Sequence, residues 1–273
     1  FTIFQYRRIN HSLGFSDDDV WELYDTNTDW TQSKDLAQEH PEKLHDLQRL
    51  WLIEAVKYNV LPLDDRFAER ANPELAGRPQ LIKGNRQILF GGMGRLTESS
   101  IVNFKNKSHA ITAEVVVPES GAEGVIVAQG GLTGGWSFYT KAGKPRYCYN
   151  FYGVDLYTIE GTMPIPPGTH QVRMEFAYDG GGLAKGGTVT LYVDGQKAGE
   201  GRVDRTQPLV FSADETCDVG FEAGSPVTND YPTEGGKFSG DVNWVQIDVG
   251  EDAEDLDHLI SHEERFRVAM ALQ

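Results

Sequence analysis

The chain has 273 residues, 39% of them hydrophobic and 11% aromatic, which is enough apolar material for one large or two ordinary globular domains and too much for a disordered chain. Its net charge of −16 argues against general affinity for nucleic acid or anionic membrane, both of which need clustered Lys and Arg, and reads as a solvated acidic surface. No apolar run reaches the length of a membrane span. Cys148 and Cys217, the two cysteines, are too few for a disulfide framework or a structural zinc site, and Cys148, between Tyr147 and Tyr149, reads as a buried thiol.

In chain order, Phe1 to Arg8 alternates weakly as a strand and starts without Met, so a processed or truncated chain is expected, with its natural N-terminus upstream. Asn10 to Asp19 is turn-like, Trp21 to Asp25 is a short strand, and Thr26 to Lys34 is a polar loop. A helix is predicted over about 41–59. Pro41 suits its first position, Leu44, Leu47, Trp51, Ala55 and Tyr58 form one apolar stripe, and Asn59 stops it before Pro62. Residues 67–97, rich in Gly and Pro, read as a crossover between domains.

Residues 98–250 read as an antiparallel β block. Ile111, Ala113, Val115 and Val117 alternate with Thr112, Glu114 and Val116. Val172, Met174, Phe176 and Tyr178 form a second alternating set, and Val189, Leu191 and Val193 a third. A period of two places each set on one face of a half-buried strand, and Asp194-Gly195 supplies a tight hairpin turn. Turn signals recur at the spacing of a β-sandwich or jelly roll. A closing helix is predicted over 251–273, with Leu256, Leu259, Ile260, Phe266, Val268 and Met270 as its apolar positions. The fold class is therefore mainly β: a lectin-like antiparallel sandwich preceded by a small α+β unit (1–66) and followed by a C-terminal helix.

Several chemistries compete for this frame. A glycanase needs two carboxylates across the scissile bond, and Glu114, Glu175, Asp241 and Asp248 are isolated along the sequence. Asp214, Asp218, Asn229, Asp230 and Asp241 could supply oxygen ligands to calcium, yet their spacing matches no recognised loop and turn formation explains them equally well. His258 and His262 share a helix face as zinc ligands can, with no glutamate base between them. Asn106-Lys107-Ser108 fits the glycosylation pattern, which is common by chance. Aromatics crowd from Trp136 to Tyr157. Most suit a core, while a sugar-binding module would expose a few, with Trp136 and Tyr152 as the candidate ligand-stacking residues.

Trp21-Glu22-Leu23-Tyr24-Asp25, Thr28-Asp29, Asp35-Leu36-Ala37 and His40-Pro41-Glu42-Lys43-Leu44 together resemble the C-terminal signature of the sulfatase family. The continuation from Trp51-Leu52 through Tyr58-Asn59-Val60-Leu61-Pro62-Leu63-Asp64-Asp65-Arg66 resembles the large bacterial arylsulfatases. Phe176 to Gly182 with Leu191 to Gly195 is similar to their appended concanavalin/laminin-G-like module. The resemblance implies a parent arylsulfatase, a sulfuric ester hydrolase with a formylglycine nucleophile and a calcium ion in a catalytic domain preceding this chain. Neither Cys148 nor Cys217 opens the formylglycine motif, so this chain alone is expected to be inactive, with no catalytic residue, cofactor or metal of its own. The implied partners are that upstream domain and a sulfated or neutral carbohydrate. A carbohydrate-binding or partner-docking module is the alternative reading.

Overall fold

The computed structural model of the chain describes residues 2–6, 19–61, 63, 77, 79, 81–232, 236–250, 258–261, 263 and 270. They fall into two compact units, residues 1–71 and 72–273.

In the first unit, β1 (Thr2–Tyr6) pairs antiparallel with β2 (Val20–Tyr24), Thr2 opposite Tyr24. Helix α1 spans Pro41–Lys57, with Pro41 at its start, Glu42 in its first turn and Lys57 in its last. Asn59 adopts a left-handed φ of 55°. Its N–H donates to the Val56 carbonyl at 3.3 Å, and the N–H of Val60 donates to Ala55 at 2.8 Å, closing a Schellman cap. Ala55 is buried and Leu44, Leu47 and Trp51 are half-buried, while Tyr58, at the end of the expected stripe, is exposed. The polar loop between β2 and α1 is tied back to the strand. The Asp35 carboxylate accepts from the N–H groups of Leu23 and Ala37, both at 2.9 Å, and the Leu36 N–H donates to the Leu23 carbonyl.

The second unit is an antiparallel β-sandwich. Its strands are β3 (Arg86–Phe90), β4 (His109–Val117), β5 (Gly124–Gly131), β6 (Gly134–Lys141), β7 (Lys144–Phe151), β8 (Asp155–Glu160), β9 (Gly168–Tyr178), β10 (Gly187–Val193), β11 (Gln196–Val203), β12 (Cys217–Val219) and β13 (Asp241–Val249). One sheet runs β11-β10-β9-β4-β13-β3 and the other β12-β5-β6-β7-β8. The β10–β11 hairpin turns at Asp194-Gly195, with φ of 48° and 75°, as a two-residue hairpin requires.

Between the sheets lies one continuous core. Ile111, Ala113, Val115, Val172, Met174 and Leu191 from the larger sheet meet Ile126, Trp136, Phe138, Tyr147 and Tyr149 from the smaller. The alternating sets therefore point inward as their period requires.

The half-buried expectation needs correction, because the outward sets are covered too. On the larger sheet Thr112, Arg173, Gln246 and Asp248 are buried. Part of that cover is the segment 258–261. The Gln171 side-chain amide donates to the Ile260 carbonyl at 3.1 Å and its oxygen accepts from the Ile260 N–H at 2.9 Å. Ile260 itself packs on Trp244, Ile88 and Phe90. On the smaller sheet, residues 221–232 lie over Val125, Ala128, Tyr139 and Cys148 through Val227 and Tyr231. A polar outward set carries no sequence sign that chain will cover it.

Two further expectations change. The segment read as a crossover supplies β3, which pairs with β13 through Phe90 opposite Trp244. Its apolar run Ile88-Leu89-Phe90 is short and the flanking Gly84, Gly91 and Gly92 masked it. Most of the helix expected over 251–273 lies outside the described residues. Glu263 and Met270 are helical, but His258 to Ser261 are not, and His258 has a left-handed φ of 53°. Among the described residues no helix is long and apolar enough to cross a membrane.

Candidate ligand-contact surface

The two aromatics singled out for stacking part company. Trp136 is 0% exposed and stands in the core edge-on to Phe104 at 5.6 Å, so it offers no face to a ligand. It alternates inward on β6 with Phe138, and core and exposed rings follow the same alternation. Tyr152 lies in the turn between β7 and β8 and is 45% exposed. Its φ of 52° is left-handed, and Phe151 meets the ring edge-on at 4.8 Å.

Two turns held side by side by Asn150 carry further exposed apolar residues. The β5–β6 turn brings Leu132, and the β7–β8 turn adds Val154, both exposed. The Arg205 guanidinium lies 4.5 Å over the Phe151 ring and is ion-paired to Asp155 at the start of β8. Partial burial, with Glu98 nearby, raises the Tyr152 phenol and keeps it protonated.

Asn150, at the end of β7 and 1% exposed, fixes both turns. Its amide nitrogen donates to the carbonyls of Gly131 at 3.2 Å, Leu132 at 3.1 Å and Val227 at 3.0 Å, and its oxygen accepts from the Gly153 N–H at 2.7 Å. Gly153 is needed for its φ of 69° and because a Cβ there would lie 3.1 Å from the Leu132 carbonyl oxygen. Leu132, Val154, Arg205 and Asn150 were not foreseen from the sequence. The one available signal was the pair of Gly-flanked turns, which long-range pairing brings side by side.

The segment over the smaller sheet carries a buried polar cluster. The Glu222 Oε1 accepts from the Val227 N–H at 3.1 Å, and the Tyr231 hydroxyl stands beside the buried carboxylate as a second donor. Burial pushes the Glu222 carboxyl up to about 7, with Asp218 and Glu215 nearby adding to the shift. Asp230 goes the other way. Burial raises it, but bonds from the Tyr139 hydroxyl at 2.6 Å, Lys141 at 2.9 Å and Arg146 at 2.7 Å together hold it down at about 2.

The other candidate chemistries find their residues employed elsewhere. Asp218 accepts from the Arg95 and Ala223 N–H groups while Asp230 serves a different cluster, and among the described residues no three of His, Cys, Asp and Glu converge as a metal cage. Glu175 binds Arg173 at 2.7 Å and His258 at 2.8 Å, Glu114 accepts from Asn243 and Asp248 from Arg86. His258 stacks on Tyr192 with ring centroids 4.0 Å apart, and His262 lies outside the described residues. The sequon amide of Asn106 donates to Pro208 and its oxygen accepts from Ala184. Cys148 and Cys217 are buried; burial pushes the Cys148 thiol up to about 11 and that of Cys217 further.

A cavity at one end of the core is lined by Phe104, His109, Tyr147, Tyr149, Phe176 and Phe211 and holds about 270 Å³ of empty space, its open mouth included. Its free interior takes about one water, too little for a sugar ring. His109 donates its Nδ1–H to the Lys107 carbonyl, 3.1 Å away, and its Nε2 has no partner. Burial brings the imidazole down to about 4, so it is neutral at ordinary pH.

No protein-family model matches the chain, and no curated protein matches it. Among solved structures, the CBM40 module of the Ruminococcus gnavus IT-sialidase bound to α2,3-sialyllactose is similar, at 12% identity over 70% of this chain and 98% of that one, with a TM-score of 0.40. The leech intramolecular trans-sialidase matches at 14% identity over 69% of this chain and 28% of that chain, TM-score 0.38. Domains LG4-5 of the mouse laminin α1 chain match at 16% identity over 65% and 42%, TM-score 0.37. These are lectin-like β-sandwiches. At such distances nothing about ligand or activity passes from them to this chain.

Proposed function

We propose that residues 72–273 form a carbohydrate-binding module whose contact surface is centred on Tyr152. The observation that carries this reading is an exposed ring on a turn that Asn150 fixes in place. A pyranose presents one face of C–H groups and a rim of hydroxyls. The Tyr152 ring with Leu132 and Val154 suits the face, and the Arg205–Asp155 pair suits the rim. A surface this open, with one ring, supports weak binding, with Kd on the order of 1 mM. Calorimetric titration with neutral and sulfated oligosaccharides tests it. Binding by at least one class, reduced more than about tenfold by Tyr152→Ala with Tm unchanged, is the expected result. Heat from neither class would overturn it.

A second reading attaches to residues 1–66. In the sulfatase-like signature, Asp35 of one part is bonded to Leu23 of another, so the spaced residues form one local unit. That contact supports reading them as the C-terminal piece of an arylsulfatase whose nucleophile and calcium belong to a preceding catalytic domain. Residues 72–273 would then present glycan to that domain. An aryl sulfate assay of this chain should show no turnover; turnover abolished by Cys148→Ala or Cys217→Ala would refute the view that this piece is inactive alone.

A further inference from the structure

We infer that the Tyr152 surface is regulated by pH through Glu222, which reaches it along the bonded line Glu222–Val227–Asn150–Gly153. The regulatory consequence rests on the carbohydrate-binding reading; the movement itself does not.

Each step of the line is a formed contact. Glu222 accepts from the Val227 N–H, the Val227 carbonyl accepts from Asn150, and Asn150 accepts from Gly153 beside Tyr152. A second tie runs in parallel. The Leu132 N–H donates to the Ser225 hydroxyl at 3.1 Å, and that hydroxyl donates to Glu215 at 2.6 Å. Both turns of the contact surface therefore hang on residues 221–232.

Around Glu222 stand Asp218 on β12, Glu215 in the loop before it, Tyr231 within the cover and Cys148 on β7. The nearby cations Lys141 and Arg146 are engaged by Asp230. Ionising Glu222 thus places a third carboxylate beside two others in a buried site, which the Tyr231 hydroxyl and the Val227 N–H offset only in part. The sign follows from linkage. The folded acid, at about 7, lies above its ordinary 4.5, so the closed cover is fully favoured below pH 4.5 and loses that advantage as pH rises to about 7. An opened cover releases Val227, removes one of three acceptors from the Asn150 amide and loosens both turns.

Hydrogen exchange on the full chain at pH 5 and pH 8, expressed as protection factors corrected for intrinsic rates, reads the movement at the Val227, Gly153 and Leu132 amides. Protection should fall on the order of tens-fold at pH 8 in the native protein and change less than about threefold in Glu222→Gln. In Asn150→Ala, Val227 should still respond and Gly153 should not. An equal fall in native protein and Glu222→Gln, or no fall in either, overturns the inference. Calorimetry at the same two pH values separates the readings. An oligosaccharide that binds the native protein more tightly at pH 5, and Glu222→Gln equally at both, supports both. Responsive amides with no oligosaccharide bound at either pH leave the switch standing and end the carbohydrate reading; binding with unresponsive amides does the reverse.

Discussion

Gln171 binds both main-chain groups of Ile260, donating to its carbonyl at 3.1 Å and accepting from its N–H at 2.9 Å. A side-chain amide here does what a neighbouring strand would do. Gln171→Ala should release residues 258–261, raising their hydrogen exchange at a cost of about 1–2 kcal/mol, with the inter-sheet core intact. Gln171→Glu keeps the acceptor and loses the donor, so its effect should be intermediate. Unchanged exchange at 258–261 in Gln171→Ala would show that Ile260 packing alone holds the segment.

The two aromatics once grouped together should separate sharply by stability. Trp136→Ala removes a fully buried indole from between the sheets and should cost about 3–5 kcal/mol in chemical denaturation. Tyr152→Ala alters an exposed turn and should stay within about 0.5 kcal/mol.

Two buried groups tilt the pH dependence in opposite directions. His109, at about 4 in the folded chain and 6.5 ordinarily, supplies stability above pH 6.5 that is lost as pH falls through 4. Glu222 supplies stability below pH 4.5 that is lost as pH rises through about 7. Between those limits the slopes oppose, and the native protein should look nearly flat from pH 4.5 to 6.5. Glu222→Gln should uncover a rise in stability with pH, and His109→Phe a fall, each on the order of 2 kcal/mol across the window. Parallel curves for the two variants would contradict the assignment.

Asn59 offers a local test in the first unit. Asn59→Ala places a Cβ-bearing residue without the Asn advantage at φ 55° and should lower helix stability by about 1 kcal/mol, whereas Asn59→Gly should match or slightly exceed the native residue. Thermal melts followed by far-UV circular dichroism distinguish them.

The inward faces were legible because burial leaves a period of two in Ile111 to Val117 and in Val172 to Tyr178, and because Asp194-Gly195 carries its turn chemistry locally. Asn59 likewise announced the end of α1. The candidate surface was legible only in Tyr152. Trp136 and Tyr152 differ in exposure through strand pairing with distant residues, which local alternation does not encode. Asn150 and Glu222 were silent for a related reason: the carbonyls that Asn150 donates to lie in the β5–β6 turn and the cover, and Glu222 stands out only once that cover is in place. Arg173 and Gln246 look like solvent-facing residues until residues 258–261 are seen over their sheet.

The buried thiols have a consequence for handling and habitat. Reactivity belongs to the thiolate, and Cys148 at about 11 and Cys217 above it are almost entirely protonated at neutral pH and out of reach of oxidants. They form no bridge with one another. The sandwich therefore draws none of its stability from redox poise, and its melting temperature should be the same with and without reductant.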